Sequence, residues 1–315
     1  MNLVSMPYLS VYLPQTCVSV EEVAGDIRAS GYPFPDEDIT YLREIHHFDQ
    51  VTIERKLRLE EMIEQACAPL FERLEQTGNR VDKVIYAHTS QVYRHDQNMF
   101  RALQHRFHLE NVKFSSISQQ NCASIHIALR VAQNLFAADE KTEGIIIVTA
   151  DKAFHPLMRR IPDSLLGDSA GACYLKRGDG PHKILFTYNM ADGVTYEGTD
   201  SHPDDIEWFN TTYYFAIRQC ITRTLRKASL KLSDLKLIVG SNANRSTWIK
   251  VSELLNCPVD LFYLSTIPQV GHLYCTDIIY NIQQAVTEER LKPGDLYLTV
   301  TVGLGGTYGC SIHEY

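Results

Sequence analysis

Val112-Lys113-Phe114-Ser115-Ser116-Ile117-Ser118-Gln119-Gln120-Asn121-Cys122-Ala123-Ser124-Ile125-His126-Ile127-Ala128-Leu129 decides how the rest of this chain is read. Residues 112–118 read as a short strand and 119–121 as a turn. Residues 123–136 read as a helix, apolar at Ile125, Ile127, Ala128, Leu129, Val131, Ala132 and Leu135. Cys122 therefore stands at the first turn of a largely buried helix, just past a strand. Unpaired backbone N–H groups and the positive end of the helix dipole converge there. Such a setting favours thiolate over thiol and makes a nucleophile, although most free cysteines are simply buried.

Working outward, the order of elements around Cys122 recurs. Before it come a helix at 57–76, a strand at 84–87 and a second helix at 99–107; after it come strands at 144–149 and 170–175. The C-terminal half has a helix at 213–228, a strand at 237–239, a helix at 247–255, a strand at 259–264 and a helix at 275–286. It closes with a strand at 296–301 and a further one around 309–312. Corresponding elements lie about 150 residues apart, as in a duplicated unit, and Cys275 follows Cys122 by 153 positions. Central strands written as continuous apolar runs, such as Ile145-Ile146-Ile147-Val148, indicate an α/β sheet covered on both faces. The expected division is an N-terminal half at 1–180 and a C-terminal half at 181–315, packed as one body. Its site is expected where strand ends and helix starts meet. The acidic stretch 191–208 reads as the excursion joining the halves.

Bulk composition narrows the function classes. The 315 residues are 44% hydrophobic and 22% charged, ordinary for a globular protein. A net charge of −8 without a basic stripe excludes a nucleic-acid binder. Residues 1–7 lack a basic region followed by an apolar core, so no signal peptide is expected. The apolar runs are too short to span a bilayer. Eight scattered cysteines form no CxxC pair, and twelve histidines form no HExxH pattern. The expectation is a cytoplasmic, reduced protein without metal, cofactor or membrane contact.

Several stretches, in register along nearly the whole chain, resemble the β-ketoacyl-ACP synthase III enzymes of the thiolase superfamily. They are Tyr12-Leu13-Pro14, Asn121-Cys122-Ala123, Gly167-Asp168-Ser169-Ala170-Gly171-Ala172, Ser241-Asn242-Ala243-Asn244, Gly271-His272 and Gly303-Leu304-Gly305-Gly306-Thr307-Tyr308-Gly309. The resemblance implies a five-layer αβαβα fold with an internal pseudo-twofold duplication, and a homodimer. The family's catalytic residues are Cys, His and Asn; here those positions hold Cys122, Ser241 and His272. The departure matters, because decarboxylative condensation normally uses two neutral donors on the enolate oxygen. Ser241 is a shorter and weaker one.

Cys122 is thus expected to carry an acyl group, with His272 as its base. The oxyanion donors would be the backbone N–H of Cys122 and one from the glycine turn, which the resemblance places on Leu304 between Gly303 and Gly305. His126, on the face of the same helix, is the second choice of base or a residue of the access path. Asp277 reads first as a helix-start carboxylate and second as a group orienting an imidazole; Asp151 and Asp168 read as turn residues. His95 and Asn244 complete the substrate-pocket candidates. The expected activity is transfer of an acyl group from acyl-ACP or acyl-CoA to a small-molecule acceptor in specialised metabolism. The resemblance implies that a coenzyme A donor would be clamped by a tryptophan and an arginine in the N-terminal third; no tryptophan precedes Trp208 and only Arg43 or Arg55 is nearby, which tilts the expected donor toward acyl-ACP. The alternatives are a decarboxylative ketosynthase and a silent partner subunit of a heterodimeric synthase.

Overall fold

The computed structural model describes residues 3–89, 99–195, 197 and 200–315. Its centre is a sheet that among these residues has ten strands, and its pairing repeats. Strands β1 (Val4–Tyr12), β2 (Lys83–Ala87), β3 (Lys113–Ile117), β4 (Gly144–Asp151) and β5 (Ser169–Arg177) run in the spatial order 1-5-4-2-3. Strands β6 (Lys183–Ala191), β7 (Leu237–Gly240), β8 (Phe262–Tyr263), β9 (Leu296–Gly303) and β10 (Thr307–Glu314) run 6-10-9-7-8. In each half the first two pairings are antiparallel and the last two parallel. Antiparallel pairing at Val4 with Ile184 joins the halves.

Strand alternation explains the layers. Val84, Tyr86, Ile146 and Val148 pack outward against helix α1 (Leu59–Thr77). Ile85, Ala87, Ile145 and Ile147 pack inward against α2 (Ser124–Ala138). In the other half Leu237, Val239 and Tyr297 face inward onto α5 (Thr276–Thr287). Ile238, Leu298 and Val300 face outward onto α3 (Pro203–Lys227) and α4 (Arg245–Leu255). Helices α2 and α5 touch strands of both halves, so the layers run α1, half-sheet, α2 with α5, half-sheet, α3 with α4. This is the five-layer αβαβα arrangement expected from the resemblance.

Three local expectations need correction. The acidic stretch read as a connector is in part helix: α3 begins at Pro203, with His202 as its cap and Asp204 and Asp205 in its first turn. Proline at the first position and early carboxylates are helix-start chemistry. Strand β6 went unread because only Ile184 is buried along it. The strand expected at 259–264 is mostly a 3₁₀ turn, Val259–Leu261, with strand only at Phe262–Tyr263.

Candidate active site

Cys122 lies in a single 3₁₀ turn, Asn121–Ala123, leading into α2, and it is buried. Asn121 takes a left-handed conformation, φ +48°, that tightens this turn. The glycine turn at 303–306 packs directly on it. Asn121 Nδ2 donates to the Leu304 carbonyl at 2.7 Å, and Thr307 Oγ1 donates to the Gln120 carbonyl at 2.9 Å. A Cβ on Gly303 would collide with that Gln120 oxygen, so only glycine allows the approach. Gly305 and Gly306 then turn the chain at φ +84° and +71°. The helix start bearing Cys122 and the expected oxyanion turn thus form one joined structure.

His272 reaches the same point from the other half. Gly271, at φ +72°, makes the bend; a Cβ there would come within 2.6 Å of Val51 Cγ1. The His272 backbone is bonded on both sides, its N–H to the Leu165 carbonyl at 2.9 Å and its carbonyl from Gly167 N–H at 3.0 Å. Asp168, beside Gly167, is a buried anchor and not merely a turn residue. It takes both Arg159 guanidinium nitrogens, at 3.0 and 2.8 Å, and the N–H groups of Glu54 and Ala153. Arg159 and Asp168 satisfy each other in the interior, which fixes the loop that holds His272.

The His272 ring lies between two groups. Nε2 is 3.2 Å from Cys122 Sγ, and Nδ1 is 2.5 Å from Asp277 Oδ2. A carboxylate can only accept, so Nδ1 carries a proton and donates it to Asp277, while Nε2 faces Sγ and takes its proton as the pair becomes imidazolium and thiolate. Asp277 also takes the N–H groups of Asn242 at 2.6 Å and Leu273 at 2.7 Å. Burial alone disfavours the imidazolium. The Asp277 carboxylate and the Cys122 thiolate outweigh it and hold His272 well above the usual imidazole value. Asp277 stands in the first turn of α5, as expected, and also bonds the imidazole; its helix-start position is legible in the sequence, and the bend that returns His272 onto it is not. Thr89 Oγ1, 3.8 Å from Cys122 Sγ, had no sequence signal. Leu166, Tyr274 and Ile161 pack around the cysteine.

The remaining expected residues fall in different places. Ser241 is fully buried where β7 ends; Asn242, next to it, bonds the same Asp277 carboxylate. Alternation from Leu237 and Val239 turns its side chain inward, and Oγ has no hydrogen-bond partner among the described residues. Asn244 is a helix cap: its Oδ1 accepts Thr247 N–H at 2.7 Å and its Nδ2 donates to the Asp163 carbonyl at 3.1 Å. His126 is a core residue bonded to Thr301 and Thr299 at 2.8 and 2.9 Å, and burial pushes its pKa down to about 3. With both nitrogens engaged and the ring fully buried, it does not serve as a pocket wall or base. His95 lies outside the described residues. Among the described residues no group of three His, Cys, Asp or Glu side chains could hold a metal ion, and no helix is long and apolar enough to cross a membrane.

Residues 225–315 match the family model described as 3-oxoacyl-[acyl-carrier-protein (ACP)] synthase III C terminal. The chain is 26% identical over 203 residues to the β-ketoacyl-[acyl-carrier-protein] synthase III of Aquifex aeolicus, covering 62% of this chain and 64% of that one. Its match to the protein of the same name from Wolbachia pipientis wMel is 23% identical and covers 96% of both. Among solved structures, ChlB3, titled an acyltransferase, superimposes with a TM-score of 0.84 at 19% identity, over 99% of this chain and 97% of that one.

Proposed function

For a chain that belongs to the β-ketoacyl-ACP synthase III-like family of condensing enzymes, we propose acyl transfer through an acyl-Cys122 thioester, with Cys122, His272 and Asp277 acting as a triad. The observation that carries this reading is the line of contacts Sγ–Nε2 and Nδ1–Oδ2. His272 takes the thiol proton at Nε2, and Asp277 stabilises the imidazolium through Nδ1. The thiolate attacks the carbonyl carbon of an acyl-ACP or acyl-CoA. The resulting oxyanion is held by the Cys122 N–H and by the turn at 303–306, with Leu304 N–H as the second donor. Collapse expels the donor thiolate, which leaves with the proton from His272. An acceptor hydroxyl or amine then gives its proton to Nε2 and attacks the acyl-Cys122, and the cysteine is released.

Ser241 supports transfer over decarboxylative condensation. It stands where the resemblance implies a second imidazole. Losing one donor of that kind costs about 3 kcal/mol, roughly a hundredfold in rate. The hydrogen bond to Asp277 points the same way, since it makes Nε2 a proton acceptor toward an incoming nucleophile. The working unit in this reading is a homodimer in the cytoplasm, and the role one in specialised metabolism. The rim strand β3, whose burial is only partial, has an edge unpaired among the described residues, which this reading gives to a second copy.

The second reading, decarboxylative C–C condensation, is favoured by the names of the curated relatives. Intact-protein mass spectrometry with a panel of acyl thioesters, followed by addition of alcohols, amines or malonyl thioester, separates the two. Acyl transfer predicts a mass gain confined to Cys122 and discharge by a heteroatom acceptor. Release of carbon dioxide with a β-keto product at the full turnover rate would sink it in favour of condensation.

A further inference from the structure

We propose that His126 is a positioning residue that sets the spacing of the oxyanion donors, by tying the helix that begins at Cys122 to the strand that ends in the glycine turn. The inference rests on the acyl-enzyme reading above. His126 lies one helical turn beyond Cys122 on α2 and is fully buried. Its Nδ1 pairs with Thr301 Oγ1 and its Nε2 with Thr299 Oγ1. Those threonines occupy alternate positions on one face of β9, which runs from Thr301 through Val302 into Gly303. One rigid ring therefore spans from the element that aims the Cys122 N–H to the element that aims the second donor.

The seat for that ring is built. Thr301 is paired with Gly309 on β10. A Cβ at Gly309 would stand 2.5 Å from His126 Cβ, 2.7 Å from Cγ and 2.9 Å from Nδ1, so the glycine is the notch that admits the imidazole. Thr299 Oγ1 continues to His313 Nε2 at 3.2 Å, which holds its hydroxyl from the far side. The bonds from Asn121 and Thr307 join turn to turn at the surface of this junction; His126 joins helix to strand in its core. A hydroxyl can donate or accept, so both threonines stay paired whichever ring nitrogen carries the proton. A hydrocarbon in place of the ring would fill the notch and leave the spacing to packing alone.

The test compares two reactions at one sulfur. Acylation by an acyl thioester passes through a tetrahedral oxyanion. Alkylation by iodoacetamide forms a C–S bond as the C–I bond breaks and iodide leaves, and it needs the thiolate but no oxyanion donors. His126→Leu removes both ring bonds. The expected result is acylation slowed roughly a hundredfold, the scale of a misplacement of about 1 Å near the reacting atoms, with alkylation within about twofold of the parent enzyme. His126→Asn can keep the Thr301 bond and His126→Gln the Thr299 bond. Because Thr301 is nearer the turn, Asn should recover more acylation than Gln, and Thr301→Val should reproduce the loss. These milder variants keep the test decisive if His126→Leu fails to fold. Equal slowing of both reactions, or unchanged acylation in His126→Leu or Thr301→Val, overturns the positioning role. A parent enzyme alkylated at Cys122 but never acylated overturns the acyl-enzyme reading, and this inference with it.

Discussion

Asp277→Asn is the sharpest perturbation of the triad. Asp277 accepts three N–H groups: Oδ2 takes His272 Nδ1 and Asn242 N, and Oδ1 takes Leu273 N. An asparagine presents one oxygen and one NH₂. With its oxygen in the Oδ2 place it keeps two bonds and turns NH₂ against Leu273 N–H; reversed, it loses two. The first orientation wins but sets the amide NH₂ against Leu273 N–H, leaving both donors without an acceptor, a stability cost of about 1–3 kcal/mol for each that is buried. Its larger effect is on the reaction, because the charge that stabilises imidazolium is gone. A comparable Asp-to-Asn change in a serine triad lowers turnover about 10⁴-fold. On that scale acylation of Cys122 should fall by about 10³–10⁴, a barrier increase of roughly 4–5 kcal/mol. Single-turnover acylation followed by intact-protein mass spectrometry reads this directly, with the denaturation midpoint measured in parallel to separate folding from rate. Asn acylating within about tenfold of the parent would refute the role of Asp277 as a charge partner and leave it a loop anchor.

Cys122→Ala should abolish the mass gain from every acyl thioester; acylation persisting at another residue would overturn the assignment of the nucleophile. Ser241→Ala removes a buried hydroxyl with no partner among the described residues, so the unfolding free energy from denaturant titration should be unchanged or raised by up to about 1 kcal/mol; a loss above about 2 kcal/mol would mean that the hydroxyl is bonded. Gly309→Ala should lower stability by about 1–3 kcal/mol through overpacking against His126, and an unchanged melting temperature would show that the notch is not tight. Three buried histidines have their pKa lowered by desolvation: His126 to about 3, His182 to about 4, and His313 well below its ordinary value. Below pH 6.5 the unfolded chain binds protons that these folded rings refuse, so their contribution is complete above pH 6.5 and lost as pH falls. The loss continues to about pH 4 for His182 and about pH 3 for His126, and near pH 5 each costs about 2 kcal/mol. Chemical denaturation at pH 7.5 and pH 5 measures this, and equal midpoints would contradict it.

Some features were legible in the sequence for clear physical reasons. Strand β4 is buried at all eight positions, so its apolar run could mean little else. The turn into α2 announced Cys122 because a strand, a polar turn and an apolar helix follow one another without a gap. Strand β6 lacked such a pattern, since a half-covered strand beside the seam between halves shows neither an apolar run nor strict alternation. Asp277 was ambiguous because a carboxylate in a first helical turn always has a dipole explanation. What brings His272 onto it is the bend through Gly271 and the left-handed Tyr274, φ +54°, between His272 and α5. His126 was read on the correct face of its helix, but what that face meets depends on hydroxyls more than 170 positions away. Helical periodicity says which residues share a side and nothing about what lies opposite.

The middle helices have a consequence for autonomy. Ile125, Leu129 and Phe136 of α2 and Ile278, Ile279 and Ile282 of α5 share one apolar cluster with strands of both halves. Neither half owns a complete interior: each, made alone, would present one side of α2 or α5 to water. Between β5 and β6 the backbone passes through residues 178–182, with Gly178 and Gly180 in conformations open to glycine. A break there would give two fragments that gain their shape only from each other. The chain is therefore two halves in sequence that share one interior in space, and its middle helices belong to both.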